Sequence, residues 1–149
     1  LNIQWISAQT TDLPMLLTLV EEFCIADQHP FDATAIETAL IELLTNPVMG
    51  SVWLISNDQH ILGYALLTLG FSLEYRGKDA FVDELYIRPA YRRQGIGTKT
   101  LKFLETFCRN LGVRALHLEV EKGNHEAQTL YRKAGYEDQG RILLNKRID

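Results

Sequence analysis

The sequence is poor in the residues that would dictate an unusual architecture, with two cysteines and four prolines among 149 residues. Cys24 and Cys108 stand far apart, each inside an apolar-periodic stretch, so they read as buried thiols and not as a disulfide framework. No run of about 18 apolar residues occurs, the length a bilayer-crossing helix needs. No charged leader with an apolar stretch opens the chain, and the reading is a soluble cytoplasmic protein with no membrane partner. The chain opens on Leu1 and not on methionine, which leaves room for a short preceding segment. Positive charge is not in excess: 15 Lys and Arg against 19 Asp and Glu give a net charge of −4 and no global attraction for nucleic acid. His29, His60 and His117 lack metal-ligand spacing, so no metal is expected.

What is present is an ordinary globular composition, 46% hydrophobic and 23% charged. A chain of this length buries roughly 70% of its unfolded surface and holds one core, so residues 1–149 are read as one domain. Alternation over 2–7 predicts a strand, and Thr10 or Thr11 is expected to cap a helix carrying Leu13, Leu16, Leu17, Val20, Phe23 and Cys24. Pro30 ends it, and a second helix is expected over 33–44, stopped by Asn46-Pro47. Strands follow over 51–56, 61–72 and 80–88, the first two joined as a hairpin. Leu101, Leu104, Phe107, Cys108 and Leu111 form one stripe of a helix over 95–111, ended by Gly112 in a left-handed turn. A strand over 114–121, a helix over 124–134 and a last strand or hairpin over 136–148 complete the chain. The order β-α-α-β-β-β-α-β-α-β predicts an α/β fold of the α+β kind: a mixed sheet with helices on both faces and a parallel crossover from 80–88 to 114–121.

The chemistry concentrates in Asp83-Glu84-Leu85-Tyr86-Ile87-Arg88-Pro89-Ala90-Tyr91-Arg92-Arg93-Gln94-Gly95-Ile96-Gly97-Thr98. A strand ends at proline, a basic turn follows, and two glycines open a long helix. Amides at a helix start lack internal partners and converge on an anion, glycine lets the anion approach, and Arg88, Arg92 and Arg93 add charge beside it. A pyrophosphate suits such a site. The lysine of a Walker loop is absent, and Thr100 stands where a dinucleotide fingerprint needs its third glycine.

Arg92-x-x-Gly95-x-Gly97 after a strand resembles the acetyl-CoA signature of the GNAT N-acetyltransferase superfamily. Asn124-His125-Glu126-Ala127-Gln128-Thr129-Leu130-Tyr131, followed by Gly135-Tyr136, is similar to the same family's second block. The element order matches that fold over nearly the whole chain. Within the family, the chain looks most like the diamine (spermidine/spermine) and thialysine N-acetyltransferase branch, which carries Glu-Asp where this chain has Asp83-Glu84. Leu118-Glu119-Val120 resembles instead a strand of the protein N-terminal alanine acetyltransferases.

The resemblance implies acetyl-CoA as co-substrate and direct attack by the free amine of a small-molecule acceptor. It places Leu85, Tyr86, Ile87, Arg92, Arg93, Gln94, Gly95, Ile96, Gly97, Thr98, Asn124, Ala127 and Tyr131 at the cofactor, with a backbone amide of 85–87 as oxyanion donor and Tyr131 as general acid. An alkyl ammonium, with a pKa near ~10, must first lose a proton, and a carboxylate on an apolar strand is suited to take it. Strict alternation groups Asp83 with Phe81, Leu85 and Ile87, and Glu84 with Val82 and Tyr86. Asp83 is therefore expected as base relay and Glu84 as the group steering a cationic acceptor, with Glu119 the competing base. Pairing of the two carboxylates with arginines such as Arg88 is the alternative. Asn124 is open to two readings, cofactor contact or helix cap. Asp27, Asp32 and Glu74 fall in segments lining the acceptor side in the family fold. The diamine-branch resemblance and the apolar Ile142-Leu143-Leu144 together predict a homodimer. Rival functions are a protein acetyltransferase and a catalytically silent acyl-CoA-binding module.

Overall fold

Helix α1 (Leu13–Ala26) begins immediately after a 3-10 turn at Thr10–Asp12. The threonines expected to cap it lie inside that turn, where the Asp12 carboxylate accepts from the Gln9 amide at 2.8 Å. Helix α2 (Ala33–Leu44) has the expected bounds because Asp32 caps it, its carboxylate accepting from the Ala35 amide at 3.1 Å. The computed structural model describes residues 2–149, and the chain divides into two compact units, one ending at Glu119 and the other running from Val120 to Asp149.

The first unit holds strands β1 (Gln4–Ser7), β2 (Gly50–Ser56), β3 (Ile61–Ser72), β4 (Gly77–Ile87) and β5 (Ala115–Leu118), with α3 (Ile96–Asn110) between the last two. They form one sheet in the order β1-β2-β3-β4-β5, antiparallel up to β4 and parallel between β4 and β5, as the crossover predicted. One face packs Leu16, Leu19 and Val20 of α1 and Leu40 of α2 against Val52, Leu54, Tyr64, Leu66 and Tyr86. The opposite face packs Leu104 and Cys108 of α3 against Trp53, Ala65, Leu67, Ala80 and Val82. Each fully buried leucine contributes about 1.5–3 kcal/mol of apolar transfer, so both layers hold the sheet rigidly under the site.

One irregularity decides what the sheet presents. Leu66 pairs with Glu84 and Leu67 with Val82, so Asp83 is an extra residue in β4, a β-bulge. Alternation reverses there. Ala80 and Val82 face α3, as does Leu85, whereas Tyr86 packs on the α1 side and Glu84 bonds a tyrosine of that same side. Strict alternation had grouped Glu84 with Val82. The bulge separates them.

In the second unit, α4 (His125–Lys133) is capped by Asn124, whose side-chain oxygen accepts from the Ala127 amide at 3.1 Å. Gly135 follows it with φ 97°. The strand or hairpin expected over 136–148 does not form: among the described residues no pairing involves this stretch, and Ile142, Leu143, Leu144 and Ile148 are 59–89% exposed. Alternating apolar residues make a strand only where a neighbouring edge accepts their hydrogen bonds, and this unit's regular element is a helix.

Candidate active site

The backbone after β4 turns through a short 3-10 segment at Pro89–Tyr91 and enters α3 at Gly95. Gly95 has φ 78° and Arg93 φ 61°, both left-handed. Nothing lies within 4 Å of where a Cβ on Gly95 would stand, so the position demands glycine for its backbone angle and leaves open space beside the helix start. The amides of the first helical turn, Ile96–Thr98, have no intrahelical partner, which fits this turn to a pyrophosphate. Ile96 anchors the turn, 1% exposed against Ile55 and Leu62. Thr100, which breaks the dinucleotide fingerprint, is fully buried and accepts from the Trp5 indole N–H at 3.0 Å.

The three arginines of the motif separate. Arg92 is exposed, donates from Nε to the Ile87 carbonyl at 2.8 Å and lies over the Tyr86 ring at 5.7 Å. Arg93 is exposed in the turn. Arg88 turns the other way: its Nη2 and Nε donate to the two carboxylate oxygens of Glu22 at 2.9 and 3.1 Å, and Nη1 donates to the Ile61 carbonyl at 3.1 Å. The same Glu22 accepts from the Tyr86 hydroxyl at 3.2 Å. Arg88 is therefore a strut between α1 and the end of β4. It pairs neither with a phosphate turn nor with Asp83 and Glu84.

The two carboxylates of β4 have distinct surroundings. Glu84 is half-buried and its Oε1 accepts from the Tyr64 hydroxyl at 2.6 Å. Burial pushes its carboxyl above the usual range, and Asp83 and Asp27 add to the rise, while the Tyr64 hydrogen bond and His29 oppose it. Asp83, exposed at the bulge, is shifted upward by partial burial of its carboxyl. Cys24 is raised by burial and by Glu84, Asp27 and Glu21, which places the end of α1 in the same electrostatic neighbourhood. Of the acids expected to line an acceptor, Asp27 joins Glu84, whereas Asp32 serves as the cap of α2. Cys108 is a buried core thiol, pushed up to about 11.

Sequence reasoning missed several groups beside this strand, on β3 and at the β4–β5 pairing. Tyr64 is one. Another is a cluster where β4 meets β5: Phe81 pairs with His117, their rings 5.0 Å apart, Tyr75 stands edge-on to His117 at 5.5 Å, and His117 Nε2 lies 3.1 Å from Asp79. The alternating apolar pattern marked these positions as strand, but only the pairing register brings them together. In the second unit, Tyr131 is half-buried, with the Tyr136 ring 6.2 Å away, and Asn124 is engaged as a cap. Glu119 closes the first unit as an exposed carboxylate.

A glycine-opened helix start suited to an anion and, on the strand before it, a raised carboxylate beside a bulge fit group-transfer chemistry on a mixed α/β sheet. The chain belongs to the acetyltransferase (GNAT) family, whose model matches residues 15–136. It is 32% identical over 78 residues to thialysine N-epsilon-acetyltransferase of Bos taurus, covering 52% of this chain and 45% of that protein. It is 33% identical over 99 residues to a putative [ribosomal protein bS18]-alanine N-acetyltransferase of Bacillus subtilis, covering 66% and 61%. The chain thus spans about half the length of such relatives. Among solved structures, an integron cassette protein from the mobile metagenome of Cole Harbour salt marsh superimposes with a TM-score of 0.88 at 36% identity, covering 98% of this chain and 91% of that one. A predicted acetyltransferase from Clostridium acetobutylicum, crystallised with acetyl-CoA, shares the fold at a TM-score of 0.81 and 17% identity, covering 97% and 96%.

Proposed function

We propose that this chain is an N-acetyltransferase that moves the acetyl group of acetyl-CoA to a primary amine of a small cationic acceptor. The observation that carries the reading is the bulged carboxylate pair Asp83–Glu84 on the strand that leads into the Gly95–Thr98 turn. Acetyl-CoA supplies, when bound, an activated acetyl thioester. Arg92, Arg93 and the amides of 94–98 would hold its pyrophosphate and the backbone of 85–87 would line the acyl end, and the family resemblance nominates Asn124, Ala127 and Tyr131 of the second unit as further cofactor residues. The family match spans both units, in keeping with one functional domain over 1–149.

Geometry favours exchanging the roles first given to the two acids. Glu84, hydrogen-bonded and raised by burial, accepts the ammonium proton. Asp83, exposed at the bulge, steers the cation together with Asp27. Tyr131, on the family resemblance, would give a proton to the departing thiolate, replaced by the second proton the nitrogen sheds as the amide forms. The same reading places the activity in the cytoplasm, where Cys24 and Cys108 stay reduced, and makes the exposed Ile142, Leu143 and Leu144 part of a homodimer contact. A second reading, acetylation of a protein N-terminus with Glu119 as base, is favoured by the similarity to the putative bS18-alanine enzyme.

A thiol-release assay with acetyl-CoA decides between them. Its panel is spermidine, thialysine, lysine, kanamycin and a hexapeptide beginning with alanine. Turnover fastest on a free small amine supports the first reading, preference for the peptide supports the second, and release with no acceptor faster than with water overturns both.

A further inference from the structure

We infer that Tyr64 is a positioning residue for the reaction: its buried hydroxyl fixes the Glu84 carboxylate on the α1 face of the sheet and leaves Oε2 to meet the amine. The inference rests on the reading of Glu84 as proton acceptor and extends it to a residue of the neighbouring strand that no motif marks. Tyr64 is 0% exposed, and its O–H donates to Glu84 Oε1 at 2.6 Å. Among the described residues Glu84 takes that one side-chain hydrogen bond. A buried phenol needs a partner, and here the partner is a carboxylate whose approach depends on the β4 bulge. Were Asp83 paired in regular alternation instead of bulged out, Glu84 would lie on the α3 face, out of reach of Tyr64.

The ring is flanked by two others. Phe23 stands edge-on at 6.3 Å, Tyr86 lies at 6.2 Å, and both rings belong to the cluster built by α1 and α2. Burial, with the Glu84 charge beside it, keeps the phenol protonated, so it is a donor throughout the working pH range. The titratable groups around Glu84 are Tyr64 from β3, Asp83 from β4, Cys24 and Asp27 at the end of α1, and His29 just beyond. Asp83 and Asp27 push the carboxyl up, His29 and Tyr64 pull it down, and Tyr64 alone among them is hydrogen-bonded to it. Tyr64 therefore fixes the rotamer of Glu84 and lowers the pH at which it becomes a base, against the rise that burial imposes.

The test is Tyr64→Phe, which keeps the ring and removes the donor. The direct readout is the side-chain carboxyl ¹³C titration of Glu84 in glutamate-labelled full-length protein, assigned by its loss in Glu84→Gln. Loss of a hydrogen bond to a charged group should move the midpoint upward by about one pH unit. Because the carboxylate is the active form, the acid limb of kcat/KM for the fastest acceptor of the panel should move upward with it. Rates below the limb then fall about tenfold, while acetyl-CoA affinity stays unchanged. Incorporation of 3-fluorotyrosine at position 64, a stronger donor, should move the midpoint down and keeps the test decisive should the phenylalanine variant not fold. A midpoint that stays put in both proteins overturns the positioning role. A midpoint that moves while the acid limb does not removes Glu84 as proton acceptor, and the positioning role falls with it.

Discussion

Tyr131 is the residue whose proposed role is most separable from its surroundings. It sits half-buried on α4 beside Tyr136, and its hydroxyl is the one group removed by Tyr131→Phe. If that hydroxyl protonates the departing thiolate, kcat should drop by about 10²-fold or more, since general acid catalysis contributes on that order. Affinity for acetyl-CoA, measured by calorimetry, should change less than about twofold, because the ring remains and acid catalysis acts in the transition state alone. Unchanged kcat would return Tyr131 to a packing role. The residues of this kind that could be named from sequence, Arg92, Gly95, Asp83, Glu84 and Tyr131, all belong to local motifs. Arg88 shows why others could not. Its partner Glu22 lies 66 residues away on α1, and no local pattern distinguishes an arginine that binds an anion from one that braces a helix.

At the scale of the element, β4 and the turn after it show where periodicity informs and where it misleads. The i, i+3, i+4 stripes placed α1, α2 and α3 correctly because a helix's geometry is contained within its own sequence. The bulge at Asp83 is a relation between β3 and β4, so alternation along β4 alone kept Glu84 with Tyr86 but wrongly put Val82 on the same face. The stretch 136–148 fails for a related reason: its apolar alternation was visible, but the edge needed to pair it was not. The turn itself offers a controlled test. Gly95 and Gly112 have almost the same angle, φ 78° and φ 77°, and both have open space where a Cβ would go. Alanine at either position should cost about 1–2 kcal/mol of stability through left-handed backbone strain, read as a lower urea midpoint. Only Gly95→Ala should also weaken acetyl-CoA binding, because only that turn presents the amides of Ile96–Thr98. Equal affinity loss in the two variants would detach the Gly95 turn from the cofactor.

For the molecule as a whole, the net charge of −4 conceals an opposition between regions. Carboxylates gather around Glu84, with Asp83 and Asp27 close enough to raise it, whereas Arg92 and Arg93 stand exposed at the start of α3. An anionic ligand would be repelled by the average and drawn by the turn, so its binding tests the local field against the global one. A ligand that binds only the folded chain stabilises it by about 2.7 kcal/mol at a hundredfold excess over Kd. For a domain of this size, at about 2–4 °C per kcal/mol, acetyl-CoA should raise Tm by roughly 5–10 °C. Acetyl-pantetheine carries the same thioester without the pyrophosphate. It should give a clearly smaller shift at equal concentration, and added salt should narrow the difference by screening the arginines. Equal shifts for the two compounds would mean that the thioester arm alone is recognised and that the turn holds no phosphate. Absence of any shift at millimolar acetyl-CoA would overturn acetyl-CoA binding altogether, and with it both acceptor readings, since neither has a donor without it.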